Sequence, residues 1–310
     1  MVIASKITIQ RNIKGFFFPS MLDHDSSVIL ADELIDTLKT NKKVKLKDKD
    51  YKGALAKVRF ASKDDKLNVL VNNENHVEIS NISYDEKIIT IYDEAKKIEE
   101  AIDKKMPYAF DENFGYLTSS LTKVGTGVIP SFILHIPMLE LSSQMPTIKA
   151  SCERYGLRLT PCFGKESPGG FYELKGILTL GIGEKEAIAN LRVTAIKLCE
   201  KENDLRNQIY EKESLRLKDE VYRAYGILTN AKLISFKEAQ VLLSYVKLGI
   251  DMKLFDKDLL TSLKDYHPYK LLNEINDDVI KTKTDKEDAL TMDSLRTERI
   301  KETLLKNMEE

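Results

Sequence analysis

Two hydrophobic patterns divide this chain, and their order along it limits the folds open to it. Up to about residue 180, apolar residues recur at period two in short runs. From Glu184 to Tyr225 they recur at helical spacing in a highly charged stretch without Pro or Gly. Strands gathered ahead of helices, rather than alternating with them, predict an α+β fold with a helical C-terminal unit.

Within the first part, residues 2–10 alternate as a strand, and residues 27–40 carry apolar side chains at helical spacing. Residues 42–50 form a charge-rich turn or edge. Residues 67–71 and 76–82 read as strands joined by a tight turn at Asn72-Asn73. Residues 85–106 fit an amphipathic helix with Ile88, Ile91, Ala95, Ile98 and Ile102 on one face. Residues 128–136 read as a buried strand ended by Pro137. Residues 155–163 and 171–180 read as a strand pair linked by a glycine-rich loop, residues 164–170. Ser235 with Glu238 is a capping box opening a helix, and residues 281–310 read as a solvated, charged helix.

Composition excludes more than it assigns. The 310 residues include 48 basic and 49 acidic ones, a net charge of −1, so nothing points to nucleic acid or an anionic membrane surface. No run approaches the ~20 apolar residues of a spanning helix. The N-terminus lacks the pattern of a signal peptide, and a cytoplasmic location is expected. Three cysteines, Cys152, Cys162 and Cys199, are odd in number and widely spaced; they read as buried neutral thiols rather than disulfides or a closed zinc site. His24, His76, His135 and His267 show no metal spacing, and His76 and His135 read as packed, hydrogen-bonded side chains. Gly125-Thr126-Gly127 and Gly181-Ile182-Gly183 are too short to be phosphate loops.

Residues 108–137, YAFDENFGYLTSSLTKVGTGVIPSFILHIP, carry the most specific motif. The run resembles a segment that bacterial protein-arginine kinases share with creatine and arginine kinases, close to YLTSCPTNVGTG-x-RAS. Gly115 to Ser119, Thr122, Val124 to Gly127 and Ser131 keep that frame. Ser120 stands for the family's cysteine, Lys123 for its asparagine and Ile129 for its phosphate-binding arginine. Further likenesses follow in order: ASKITIQRN at residues 4–12, VNNENHVEI at 71–79 and DKKMPYAFDENFG at 103–115. Residues 225–251 resemble the C-terminal helical region peculiar to the protein-arginine kinases.

The resemblance implies a phosphagen-kinase, glutamine-synthetase-like catalytic domain, an antiparallel sheet flanked by helices, over residues 1–222. Residues 223–310 would be a helical dimerisation or regulatory domain. It also implies transfer of the terminal phosphoryl group of ATP, with magnesium, to a guanidinium nitrogen. Such transfer depends on alignment and on charge stabilisation around the phosphates, for which guanidinium groups are well suited. At the family's nucleotide positions this chain has Ser5, Lys6, Thr8, His76, Glu78, Lys123 and Ile129. Family arginines fall on Lys6, Thr8, Glu78, Ile129 and either Thr160 or Pro161; Arg158 lies two residues out of register. A charge-assisted hydrogen bond contributes roughly 1.5–3 kcal/mol, and micromolar-to-millimolar binding totals only about 4–8 kcal/mol. Losing most of the arginines therefore argues against tight ATP binding in the family's mode, unless Lys6, Lys123 and Lys165 substitute.

The family's acidic clamp on the guanidinium falls on Glu74 and, by the ESPGGFY spacing, on Glu166; as plain residues both also read as exposed loop acids. A phosphoarginine-reading pocket is implied near Glu287, Asp288 and Arg296. The leading expectation is a pseudokinase, a binding or regulatory protein in bacterial protein quality control and stress response. It would grip an arginine-containing protein and form a homodimer, or a heterodimer with a paralogue, without nucleic acid or membrane. The alternative is an active kinase with a lysine-based nucleotide site.

Overall fold

The computed structural model describes residues 1–284 and 288–306. The chain runs β1 (Val2–Arg11), α1 (His24–Leu38), β2 (Lys45–Asp50), β3 (Lys57–Ala61), β4 (Leu67–Val71), β5 (Val77–Ser83) and α2 (Ile88–Asp103). A small hairpin, β6 (Phe110–Asp111) and β7 (Gly115–Tyr116), precedes β8 (Val128–His135), α3 (Pro137–Leu141), α4 (Met145–Arg154), β9 (Leu157–Pro161) and β10 (Phe171–Gly176). The rest is helical: α5 (Glu184–Asn230), α6 (Phe236–Asp251), α7 (Lys257–Ser262), α8 (Pro268–Ile275), α9 (Asp277–Lys281) and α10 (Ala289–Leu305). Among the described residues no helix is long and apolar enough to cross a membrane.

Eight strands form one antiparallel sheet in the order β2-β3-β4-β5-β1-β8-β10-β9. The fold is the expected α+β arrangement of an antiparallel sheet flanked by helices. Period-two alternation sends Ile7, Ile9, Val69, Ile79, Phe132 and Leu174 into one core with Leu30 and Leu34 of α1, Ile91 and Ile98 of α2, and Leu191 of α5. The opposite face is divided. At one end Ala4, Ile133 and Phe171 belong to a second core with Leu243 and Val246 of α6 and Ile300 of α10. His135 shares that end; its ring stacks on Phe171 at 5.0 Å, and its Nε2 lies 2.7 Å from Ser244 Oγ of α6. The other end, bearing Lys6, Thr8, Gln10 and Glu78, lies outside both cores.

Three expectations need correction. The link between β4 and β5 is a five-residue turn, residues 72–76, rather than a tight pair, because Asn72 takes a left-handed φ of 54° and its N–H bonds to His76 O at 3.0 Å. A strand the alternation did not announce, β3, lies between β2 and β4. The C-terminal helix is not simply solvated: Met292, Arg296, Thr297, Ile300 and Leu304 on one face of α10 are buried. Its charged residues hid an apolar stripe of few members. Ser235 does cap α6, accepting from Glu238 N at 3.2 Å.

Candidate active site

The turn of residues 72–76 is built by side chains buried beneath it. Asn75 Oδ1 accepts from Asn12 Nδ2 at 3.0 Å and from Ser119 N at 2.8 Å, while Asn12 Oδ1 accepts from His76 N at 2.9 Å. His76 Nδ1 accepts from Ile13 N at 3.0 Å, which leaves Nε2 as the protonated nitrogen, donating to Phe17 O at 2.8 Å. Burial lowers the His76 pKa to about 4, so the ring is a neutral spacer. The structure thus places His76 inside the scaffold. Ser5 also turns inward: it is buried and donates to Asp85 O at 2.5 Å.

Glu74 stands on the crest of this turn, half-exposed. Its Oε2 takes an ion pair from Lys123 Nζ at 2.5 Å and lies 3.4 Å from Gln10 Nε2. The same Gln10 amide donates to Glu78 at 3.1 Å. Glu74, Glu78 and Lys123 are therefore brought together around Gln10, which sequence reasoning did not single out. Gln10 Oε1 is buried without a hydrogen-bond partner. Lys123 neutralises Glu74.

Strand register fixes the remaining positions. Directly paired residues on antiparallel strands project to one face. Ser80, Thr8 and Ile129 form one row, Gln10 pairs Glu78 in the row on one side of it, and Lys6 pairs Ser131 on the other. That last row continues through Lys175 of β10 to Arg158 of β9. Thr160 pairs Glu173 one row further, toward the second core. Thr8, Ile129 and Thr160 are uncharged, and Ile129 is buried. Ser131 Oγ donates to Glu173 Oε1 at 2.8 Å. Ser120 contacts Thr122 Oγ1 at 2.9 Å and carries no charge.

The Gly125-Thr126-Gly127 run is a packing device. A Cβ at Gly125 would lie 2.1 Å from Thr179 O, and one at Gly127 2.7 Å from Gln10 O, at φ values of 117° and 57°. Arg11, fully buried, locks this turn: Nη1 donates to Gln10 O and Thr126 O at 2.8 Å each, Nε pairs with Glu99 at 2.8 Å, and the guanidinium lies 3.5 Å over the Tyr116 ring. The signal in the sequence was its place in the QRN of the first strand.

Glu166 lies elsewhere. It is exposed in the loop after β9 and pairs with Lys237 of α6 at 3.4 Å. It lines a groove of about 730 Å³ between the β9–β10 loop and helices α6, α9 and α10, with Lys165, Phe236, Lys237, Asp293 and Arg296. Arg296 is buried, donating to Ile275 O and Ile234 O at 3.0 Å each and pairing with Asp293 and Asp277. Asp288 caps α10 through Thr291 N at 2.9 Å; Glu287 lies outside the described residues. Burial pushes the Cys162 thiol well up and raises that of Cys152, so both are neutral. Among the described residues no three His, Cys, Asp or Glu side chains converge as a metal site.

Comparison with known proteins places this geometry. Residues 10–205 match the ATP:guanido phosphotransferase C-terminal catalytic domain, and residues 214–310 the protein-arginine kinase McsB C-terminal domain. A protein-arginine kinase from Clostridium perfringens is 31% identical, over 97% of this chain and 94% of that relative. One from Syntrophomonas wolfei is 29% identical over 98% and 91%. Among solved structures, the duplicated taurocyamine kinase from Schistosoma mansoni shares the fold with a TM-score of 0.60 at 18% identity, covering 86% of this chain and 40% of that one. Lombricine kinase does so with a TM-score of 0.60 at 14% identity, each chain covered over 67%. On the match to its sheet domain and helical C-terminal region together, the chain belongs to the ATP:guanido phosphotransferase family, in its protein-arginine kinase branch.

Proposed function

We propose that this chain is a protein-arginine kinase relative whose phosphoryl transfer is lost or severely weakened, and that it acts as a binding or regulatory protein for arginine-bearing proteins in bacterial protein quality control. The single observation carrying this reading is the Thr8–Ile129 pair at the centre of the open face. Two positions that would hold phosphate-binding guanidinium groups are a hydroxyl and a buried hydrocarbon.

The neighbouring row adds Glu78, an acid held by Gln10, where a triphosphate would need positive charge. These positions do not fit magnesium-ATP as a family kinase would hold it, and no step of transfer is assigned to them. The rescue by lysines is weak at two of its three positions, since Lys123 is paired with Glu74 and Lys165 lines the groove beside Arg296. What remains is recognition of a guanidinium by Glu74, in competition with Lys123. The other half of the acidic clamp is not beside it in this geometry, as Glu166 pairs with α6. A homodimer, or a heterodimer with an active paralogue, through the helical C-terminal unit belongs to this reading.

The test is incubation with magnesium-ATP and an unfolded arginine-rich protein, beside an active relative, with phosphoarginine read by mass spectrometry. A yield at least about 1,000-fold below the relative is expected, because one arginine at a phosphoryl-transfer transition state can contribute that much. Comparable yields would overturn the proposal.

A further inference from the structure

Helices α4 and α5 leave a groove of about 460 Å³ between them, over the first core. Its floor is apolar: Ile148 and Cys152 of α4 and Leu198 of α5 are buried members of that core. Its walls are apolar as well, although they meet solvent, since Tyr155 is 64% exposed and Val193 53%. The two helices run antiparallel. Glu202 of α5 accepts from Met138 N and Leu139 N, just ahead of α4, at 3.2 and 2.9 Å. At the other end, a Cβ on Gly156, just after α4, would lie 2.9 Å from Leu178, just ahead of α5. The start of α4 therefore meets the end of the groove that carries Lys197 and Lys201. These lysines stand four residues apart on one face of α5, and neither has an ion-pair partner among the described residues. No acid lines this groove among the described residues, although the chain holds 49 acids to 48 bases. Other cavities of the molecule mix the two signs, with Asp293 beside Arg296, Glu94 beside Lys43 and Glu274 beside Arg299.

We infer that the α4–α5 groove is a binding site for a small amphiphilic carboxylate of the medium-chain acyl class, its apolar body over Ile148, Cys152 and Leu198 and its carboxylate at Lys197 and Lys201. A cavity of this size, mostly apolar with charge gathered at one end, has the make-up of a small-ligand site. An acyl chain laid in the groove takes the faces of Tyr155 and Val193 out of water. The head group stays at the rim, where the ammonium groups reach it on flexible stems. A neutral apolar ligand would leave the two like charges of α5 unrelieved, and a bare anion would leave the walls wet, so the two halves of the groove together specify an amphiphile. The groove lies across the sheet from the Thr8–Ile129 row, and binding there is read independently of phosphoryl transfer.

The chain has no Trp, so Tyr155→Trp in the full chain sets a single fluorescent reporter at the mouth of the groove. Titration with sodium decanoate should give a saturable change in its emission. Lys197→Gln/Lys201→Gln in the same background weakens decanoate about tenfold, through the loss of two partly exposed ion pairs. Decanol, which lacks the charge, binds both proteins alike. Octanoate, two methylenes shorter, binds about 15-fold more weakly, at about fourfold for each buried methylene. Thr194→Phe fills the groove and abolishes the change, with circular dichroism confirming that this variant is folded. Lys45→Gln, on the exposed strand β2, is the control and leaves the titration unchanged. No saturable change at millimolar decanoate, or equal decanoate affinities with and without the two lysines, would overturn the inference. So would a change of oligomeric mass on Thr194→Phe, read by light scattering, which would give the groove to a second copy of the chain.

Discussion

Arginine holds the chain together in the interior, while the Thr8–Ile129 row of the open face carries none. Arg11 and Arg206 are both buried and saturated. Arg206 pairs with Glu202 at 2.8 Å and Asp251 at 3.1 Å and donates to His135 O at 3.2 Å, tying β8 to α5 and α6. On the open face, the paired strands carry Thr8, Ile129 and Thr160, two hydroxyls and a hydrocarbon. The difference teaches which demand acts on each region. A buried arginine removed from its partners leaves uncompensated carboxylates and unfolds the frame, whereas a solvent-facing one can be replaced with the fold intact.

The sharpest way to break this contrast is Arg206→Ala. It should cost about 3–5 kcal/mol of unfolding free energy in urea, since Glu202 would be left buried and unpaired; a loss below about 1 kcal/mol would show the pair to be dispensable. Next in size, the double change Thr8→Arg and Ile129→Arg should tighten magnesium-ADP binding by about 1.5–3 kcal/mol per new contact. Calorimetry showing no gain would place the deficit outside the Thr8–Ile129 row.

Acid should expose the frame's dependence on neutral histidines. Burial lowers the pKa of His76 to about 4 and that of His135 well below its ordinary value, with Arg206 adding to the latter shift. Both bind their proton more readily when unfolded. Their contribution is therefore present above pH ~6.5 and is lost as pH falls toward the folded value, by about 1.4 kcal/mol per histidine per pH unit. A thermal-melt series over that window with a flat profile would remove the claim. The smallest effect belongs to the Lys123–Glu74 pair, which is partly exposed. Lys123→Asn should change stability by less than about 1 kcal/mol, yet free Glu74 and strengthen binding of an arginine-bearing peptide; unchanged peptide affinity would dissociate Glu74 from guanidinium recognition.

Much of the frame was legible in the residues. The apolar stripe Ile88, Ile91, Ala95, Ile98 and Ile102 is buried as its spacing required, and Ser235 caps its helix. The signature frame also led to the right family. Register was not legible. Arg158 looked misplaced by two residues against the family's arginine, and only the pairing of β9 with β10 shows it level with Lys175 and Lys6. Nor could spacing locate Glu166, because its loop is seated by tertiary contact: a Cβ at Gly169 would lie 2.3 Å from Gln240 O of α6. The Gln10 amide bridging two acids was equally hidden, since it joins residues far apart in sequence.

One helix, α5, enters both cores: Leu191 packs under the sheet and Val221 among the C-terminal helices, with a lone non-helical residue, Glu213, between them. The two units therefore share a spine rather than a tether. Severing the chain anywhere along residues 184–230 would strand an apolar face on each fragment, so each half depends on the other for its solubility as well as its shape.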